Sequence, residues 1–181
     1  MKKNILKVLI FVIILSCCFT ASILDAGVSE KLEGNAEEAL RLFKKKDPHL
    51  KRFFDNSHGY AIYPKVAKGG IGIGGATGKG VVYEKDKMIG SSRLIQVNVG
   101  LQLGGQVYSE IVFFESKKDL DKFKRGKLKL SAQVSAVAAA SGVSANAKYS
   151  HGVAIFTIAR GGLMYEATVG GQKFSYKPLY R

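Results

Sequence analysis

Between Lys68 and Gly80 the chain runs Lys-Gly-Gly-Ile-Gly-Ile-Gly-Gly-Ala-Thr-Gly-Lys-Gly, and few folds can accommodate such a run. Read with the strand period of two, Gly70, Gly72, Gly74, Ala76, Gly78 and Gly80 share one face, while Ile71, Ile73, Thr77, Lys79 and Val81 share the other. One side of this strand therefore carries almost no side chain. Glycine inside a strand costs conformational entropy and packs nothing, so a run of it marks close approach by another backbone, a helix or a ligand. Two expectations follow: a helix or second sheet of the same chain packs on the bare face, or the face is a groove for an acyl chain or head group. Either way Gly70, Gly72, Gly74, Gly78 and Gly80 form the backbone that a partner can approach.

The same stretch imitates two nucleotide motifs and fits neither. Gly70, Gly72 and Gly75 have G-x-G-x-x-G spacing, but no helical pattern follows, and Gln96 and Asn98 stand where an acidic residue belongs. Gly78-Lys79 lacks the Ser or Thr of a phosphate-binding loop, because position 80 is Gly, and Ile73 occupies the place of its first glycine.

The chain begins with a positive Met1-Lys-Lys-Asn-Ile-Leu-Lys segment and an apolar run from Val8 to Leu15, the pattern of a secretory signal peptide. Cleavage after Ser22 suits it. Ile14-Leu-Ser-Cys17 also resembles a bacterial lipoprotein signal, with Cys17 as the lipidated residue. A retained anchor is the third possibility, since Val8 to Leu24 is 17 residues without a charge. Cys17 and Cys18 are the only cysteines, so the body has no disulfide framework and no thiol chemistry. The whole chain carries +14; without Lys2, Lys3 and Lys7, 25 basic residues face 14 acidic ones, about +11. Such a charge favours anionic partners. In an exported protein that means the membrane surface rather than nucleic acid; a protein partner is left open.

Val28, Leu32, Ala36, Ala39, Leu40 and Phe43 recur at helical steps, with Ser29 as cap, acids in the early turns and bases in the last. Asp47-Pro48 then opens a short second helix with Leu50, Phe53 and Phe54. Lys44, Lys45, Lys46, Lys51 and Arg52 make a first cationic patch around these helices. From Ser57 the pattern turns to β: Tyr60 to Tyr63 as a strand stopped by Pro64, the glycine strand, a Glu-Lys-Asp-Lys turn at 84–87, an alternating Arg93 to Val99, a bend at Gly104-Gly105, and a strand from Val107 to Phe114. Ser116 and Asp119 form a capping box that opens a helix carrying Leu120 and Phe123, with Gly126 as its stop. Lys117, Lys118, Lys122, Lys124 and Arg125 form the second cationic patch there. The Ser, Ala, Val and Gly residues from Leu130 to Ala147 are expected to form small-residue strands.

An internal echo follows. Ser57-His-Gly-Tyr-Ala-Ile-Tyr63 recurs as Ser150-His-Gly-Val-Ala-Ile-Phe156, and Ala67-Lys-Gly-Gly-Ile71 as Ala159-Arg-Gly-Gly-Leu163. The expectation is two hairpins of one plan, with Lys68 and Arg160 at equivalent turn tips, exposed or jointly facing a phosphate. His58 and His151 occupy matching places before glycine; a hydrogen-bonded structural role suits them better than a metal or acid–base role. The body has no HExxH, GxSxG or clustered carboxylates. No catalytic residue, metal or cofactor is expected.

From Gly59 to about Pro178 the chain resembles the SYLF family of lipid-binding domains, also called the yeast-type actin-binding family. The likeness rests on Gly59-Tyr-Ala-Ile-Tyr-Pro-Lys-Val-Ala-Lys-Gly-Gly70, the 74–80 glycines, Val99-Gly-Leu-Gln-Leu-Gly-Gly-Gln106, Phe113-Phe114 with Leu120-Asp-Lys-Phe123, and the late Gly-Val-Ala-Ile-Phe repeat. Gly162-Leu-Met-Tyr-Glu-Ala-Thr168 departs from the family's usual Gly-Leu-Phe-Ala-Gly-Val-Ser. The resemblance implies a non-enzymatic, β-rich, membrane-lipid-binding domain; eukaryotic members look to phosphoinositides and actin, and bacterial relatives are envelope proteins.

The expected organisation is a signal peptide at 1–22, a helical segment at 23–56 and a β-rich domain at 57–181. Its class is α+β, dominated by a curved, barrel-like antiparallel sheet with two N-terminal helices and one short internal helix. The expected function is binding of anionic phospholipid in the cell envelope, periplasmic or outer-membrane associated, through the two patches together with Lys68, Lys79 and Arg160. A structural or protein-interaction module and a carrier of a small hydrophobic ligand are the alternatives.

Overall fold

The computed structural model describes residues 30–130, 137–138 and 143–179. Contacts divide the chain into two compact units, Met1–Gly34 and Asn35–Arg181. The leader, Ser22, Cys17 and Ser29 lie outside the described residues, as does most of the small-residue stretch 130–147. In its described part Val137–Ala138 is a strand, but Val143–Asn146 is a 3-10 turn rather than the expected strand.

Helix α1 covers 30–46, and the stripe read at steps of three and four is its packed side: Ala36, Ala39 and Phe43 are fully buried. Asp47 ends it and caps the 3-10 turn Pro48–Leu50, accepting from the His49 amide at 3.1 Å and from the distant Ser144 amide at 2.8 Å. Helix α2 (Lys51–Asn56) follows directly.

Three very long strands make the rest: β1 (Gly59–Glu84), β2 (Lys87–Phe114) and, after helix α3 (Lys117–Lys124), β5 (Val153–Pro178). Two-residue strands β3 (Lys129–Leu130) and β4 (Val137–Ala138) pair with β5, the second in parallel. The path β1-β2-β5-β3 is open, so the sheet is curved but not a closed barrel. The α+β class, dominated by sheet, is borne out.

The strand limits differ from those read in the sequence. Pro64 does not stop a strand; it sits in a bulge between Tyr63 and Val66 on the edge strand, where no ladder donor is required, and its carbonyl accepts the Ser109 hydroxyl at 2.7 Å. Nor are Lys68-Gly-Gly70 and Arg160-Gly-Gly162 turns. Each lies inside a continuous strand, so there are no equivalent turn tips. The Lys85-Asp86 turn stands where expected, with both residues at positive φ.

A straight strand of 26 residues would run about 86 Å. β1 bends instead at its glycines. A Cβ on Gly70 would collide with the Gly74 backbone, and Gly72 takes φ +70 in the register shift between Ile71 and Ile73. Beyond this fold the strand returns along its own first half. A Cβ on Gly80 would come 2.6 Å from the Ile62 carbonyl and from the Tyr63 ring, and one on Gly78 would come 2.9 Å from the Val66 side chain. The two ends of β1 meet, with the Lys85 amide donating to the His58 carbonyl at 3.3 Å and His58 Nε2 within 2.8 Å of Glu84 Oε1. Of the two expectations for the bare face, packing by the same chain holds at Gly78 and Gly80.

The fold gives the sheet an inside and an outside. Even positions of β2 point inward: Leu94, Tyr108, Val112 and Phe114 join Ala61, Tyr63, Ala76, Val82 and Phe174 in the core, closed by Leu120 and Phe123 of α3. Ser116 caps that helix and Gly126, at φ +65, ends it. Outside, the half of the sheet around Phe113 is covered by α2: Phe53 stacks on Phe113 with centroids 5.4 Å apart and meets Phe156 edge-on at 5.0 Å. The other half has no cover among the described residues. Ile71, Ile73, Val97, Val99 and Leu103 are each more than half exposed.

Replacing Gly80 with Val should therefore lower stability by about 2–3 kcal/mol, because the added carbons meet backbone rather than a movable side chain. Gly161→Ala, where nothing lies within 4 Å, should shift it by less than about 0.5 kcal/mol. Urea denaturation midpoints distinguish the two.

Candidate functional site

The residues expected to meet a lipid head group sort into two kinds. Some are engaged by partners within the chain. Arg52 lies over the Phe53 ring at 4.6 Å and donates to the carbonyls of Ser144 and Ala147, holding that loop to α2. Arg160 donates from Nε to the Ser109 hydroxyl at 2.6 Å and meets Glu38 of α1 at 3.5 Å. Lys124 lies over Tyr176 at 5.9 Å and near Glu84, and Lys122 bonds Asp119 at 3.1 Å. Lys68 is in the inward register and acts electrostatically on Glu110.

Others face water. Lys45 and Lys46 on α1, Lys118 and Arg125 around α3, and Lys79 on β1 are exposed. Lys44 rests over Phe54 at 4.7 Å while remaining exposed, and Lys51 and Lys117 form surface pairs with Asp55 and Asp121 at one-turn spacing. Such pairs are worth little and are readily exchanged for a stronger anion. Arg93 and Lys173, absent from the expected set, are also exposed and lie beside Lys79 in the ladder, Lys79 opposite Arg93 and Lys173 opposite Ile95. Only the strand register brings them together, and no sequence spacing does.

Sequence reasoning also missed a polar knot in the core. Glu110 is 1% exposed. Its Oε2 accepts from Gln172 Nε2 at 3.0 Å, and the same amide donates to Gln96 Oε1 at 3.1 Å. Burial pushes the Glu110 carboxyl up to about 7, against the Gln172 hydrogen bond and the Lys68 charge, which pull it down. Its Oε1 and the Gln172 Oε1 have no hydrogen-bond partner. A protonated Oε1 offers the donor that this pair lacks. The signal available was Glu110 itself, an acid inside the apolar run Val107 to Phe114.

The two echoed histidines part company. His58 closes the seam of β1 through Glu84, while His151 takes φ 54 in a turn and contacts the Ser150 hydroxyl at 3.1 Å. Among the described residues no three His, Cys, Asp or Glu side chains gather to hold a metal, and no helix is long and apolar enough to cross a membrane. A surface cleft of about 390 Å³ lies between Phe53, Asn56, Glu115 and Tyr149, but its one guanidinium, Arg52, is occupied by backbone carbonyls.

A long, folded antiparallel sheet with a glycine-lined bend and helices on one outer face defines a sheet-dominated α+β domain. Residues 95–177 are similar to the Ysc84 (SYLF) family, described as Las17-binding protein actin regulator. The chain is also 29% identical over 144 residues to Beta cell expansion factor A of Aeromonas veronii, a match covering 75% of this chain and 51% of that protein. It thus spans about half the length of that relative. The family is one of binding domains rather than known enzymes.

The Glu110 site carries a pH signature. Its folded pKa is raised above the unfolded value of about 4.5, so its contribution is full below that value and is lost as pH climbs through about 7. Stability should fall by roughly 3 kcal/mol across that window, all else equal. Glu110→Gln should remove this slope, as read from denaturation midpoints at pH 5 and pH 8.

Proposed function

We propose that this chain is a non-enzymatic cell-envelope protein, exported to the periplasm or the outer membrane, that binds the head groups of anionic phospholipids. The observation that carries the reading is the set of exposed cations, Lys45, Lys46, Lys79, Lys118 and Arg125, on a chain with formal charge +14. Each basic residue near an anionic surface is worth about 1 kcal/mol, so dispersed cations add to a useful affinity without any pocket. Similarity to a family of binding domains supports a binding role, and the lipid is our own refinement of it. Arg52, Lys68 and Arg160 serve the fold in this reading, and the solvent-facing lysines and Arg125 serve the membrane. The family's description as an actin regulator favours one second reading, a protein-interaction module.

Flotation of the leaderless protein with vesicles of graded negative charge tests it. Binding should rise with the anionic fraction and disappear near 1 M salt, where the screening length falls to about 3 Å. Reversing Lys45, Lys46, Lys118 and Arg125 to Glu should weaken it at least about tenfold. Equal binding to neutral vesicles, or none to charged ones, returns the case to the protein-interaction module.

A further inference from the structure

The outer face of the bent half of the sheet has no cover among the described residues, and its pattern is unusual. Odd positions of β2 place Ile95, Val97, Val99 and Leu103 in one line, and β1 sets Ile73 opposite Val99 and Ile71 opposite Leu103. Their exposures run from 49% for Ile95 to 81% for Ile71. An exposed apolar strip of this kind marks an interaction surface. At the end of the strip away from the bend the character changes in a single step. Lys79 and Arg93 face each other across the ladder, and Lys173 stands beside Ile95 on β5; all three are exposed.

We infer that this bent tip inserts into the acyl layer of an anionic bilayer, with Lys79, Arg93 and Lys173 meeting the phosphates above it. The inference rests on the lipid-binding reading and names the surface that does it. Charge decides the occupant. Between 71 and 79 and between 93 and 103 the sequence contains no Asp or Glu, and Glu166 of β5 is opposite Gln102, on the alternate set of positions. A second copy stacked on this face would find no carboxylate for its belt of cations. An anionic amphiphile supplies both halves of the complement: acyl chains for the isoleucines and valines, phosphate for the cations. From Ile95 to Val99 the strand advances about 13 Å, enough to carry the strip below the head groups if it enters tip first. The glycines at the bend contribute no bulk to the part that goes deepest.

The chain contains no Trp, so one introduced indole reports alone. Ile73→Trp and Val97→Trp are made separately, at positions 69% and 58% exposed, where folding does not depend on the side chain. Each is mixed with phosphatidylglycerol-rich vesicles carrying bromines on the acyl chains. Entry of about 5–10 Å, the depth of interfacial segments, should shift the emission to the blue and cut it about twofold. Co-flotation without quenching at either position overturns the insertion and leaves head-group binding standing. Failure to float overturns both. Blue-shifted emission without lipid, together with a doubled mass in solution, overturns the inference in favour of a second copy on this face.

Discussion

The structure depends on backbone passing backbone where no side chain intervenes. Strand β1 returns along itself, and the crossing is possible because Gly78 and Gly80 present only hydrogens to Val66, Tyr63 and the Ile62 carbonyl. Without that approach a 26-residue strand would remain an extended ribbon with one apolar face in water. With it, the inward positions of both halves share one core, and Tyr63 reaches Phe174 at 5.9 Å and the Ser92 hydroxyl at 2.7 Å. The entropy lost by ordering so many glycines is offset by the aromatic and aliphatic burial that the fold permits.

How far the sequence revealed this varies with the kind of information. The period of two identified the bare face correctly, because alternation is local geometry. The α3 cap and stop, the Asp47-Pro48 junction and the Lys85-Asp86 turn were legible for the same reason: each is settled within four or five residues. Strand length was not. Pro64 carries the usual mark of a strand end, and the edge position of β1 and its bulge allow the ladder to continue through it. The Gly-Gly pairs carry the same mark yet stay in the ladder, Gly69 and Gly70 opposite Gly105 and Gly104, Gly161 and Gly162 opposite Val107 and Gln106. Which face of Arg93 to Val99 is buried was also beyond reach, since alternation says which residues travel together and not which side meets the core.

The echo shows the limit in its sharpest form. β1 and β5 do flank the same strand, β2, and both run antiparallel to it. Yet Phe114 is opposite Gly59 on one side and Val153 on the other, so matching residues of the repeat are offset by one. A one-residue offset exchanges faces. Tyr63 therefore enters the core beside Phe174, while its counterpart Phe156 points outward against Phe53. The glycines after the two histidines illustrate the same divergence. Gly59 makes room for the Tyr83 carbonyl, and Gly152, at φ +82, makes room for the Asp119 carboxylate. One sequence plan thus serves two environments, and Lys68 and Arg160 end in different company.

Charge divides between residues that the fold engages and residues left to water. A count of basic residues treats every lysine alike, whereas the fold commits some of them: Arg52 to carbonyls, Arg160 to Ser109 and Glu38, and Lys68 to the neighbourhood of a buried acid. The cations left to water lie on the helices, Lys45, Lys46, Lys118 and Arg125 among them, and beside the uncovered apolar strip, Lys79, Arg93 and Lys173. Among the described residues the first half of the folded sheet is covered by α2 and the second half is open, along one set of strands. The covered half supplies the aromatic contacts that hold α2 to the sheet. The open half keeps its apolar side chains in water at a free-energy cost. Because the same strands run through both halves, the position of that open face is set by the packing of the covered one, and the bend at Gly70 to Gly74 is what carries it clear of the helices.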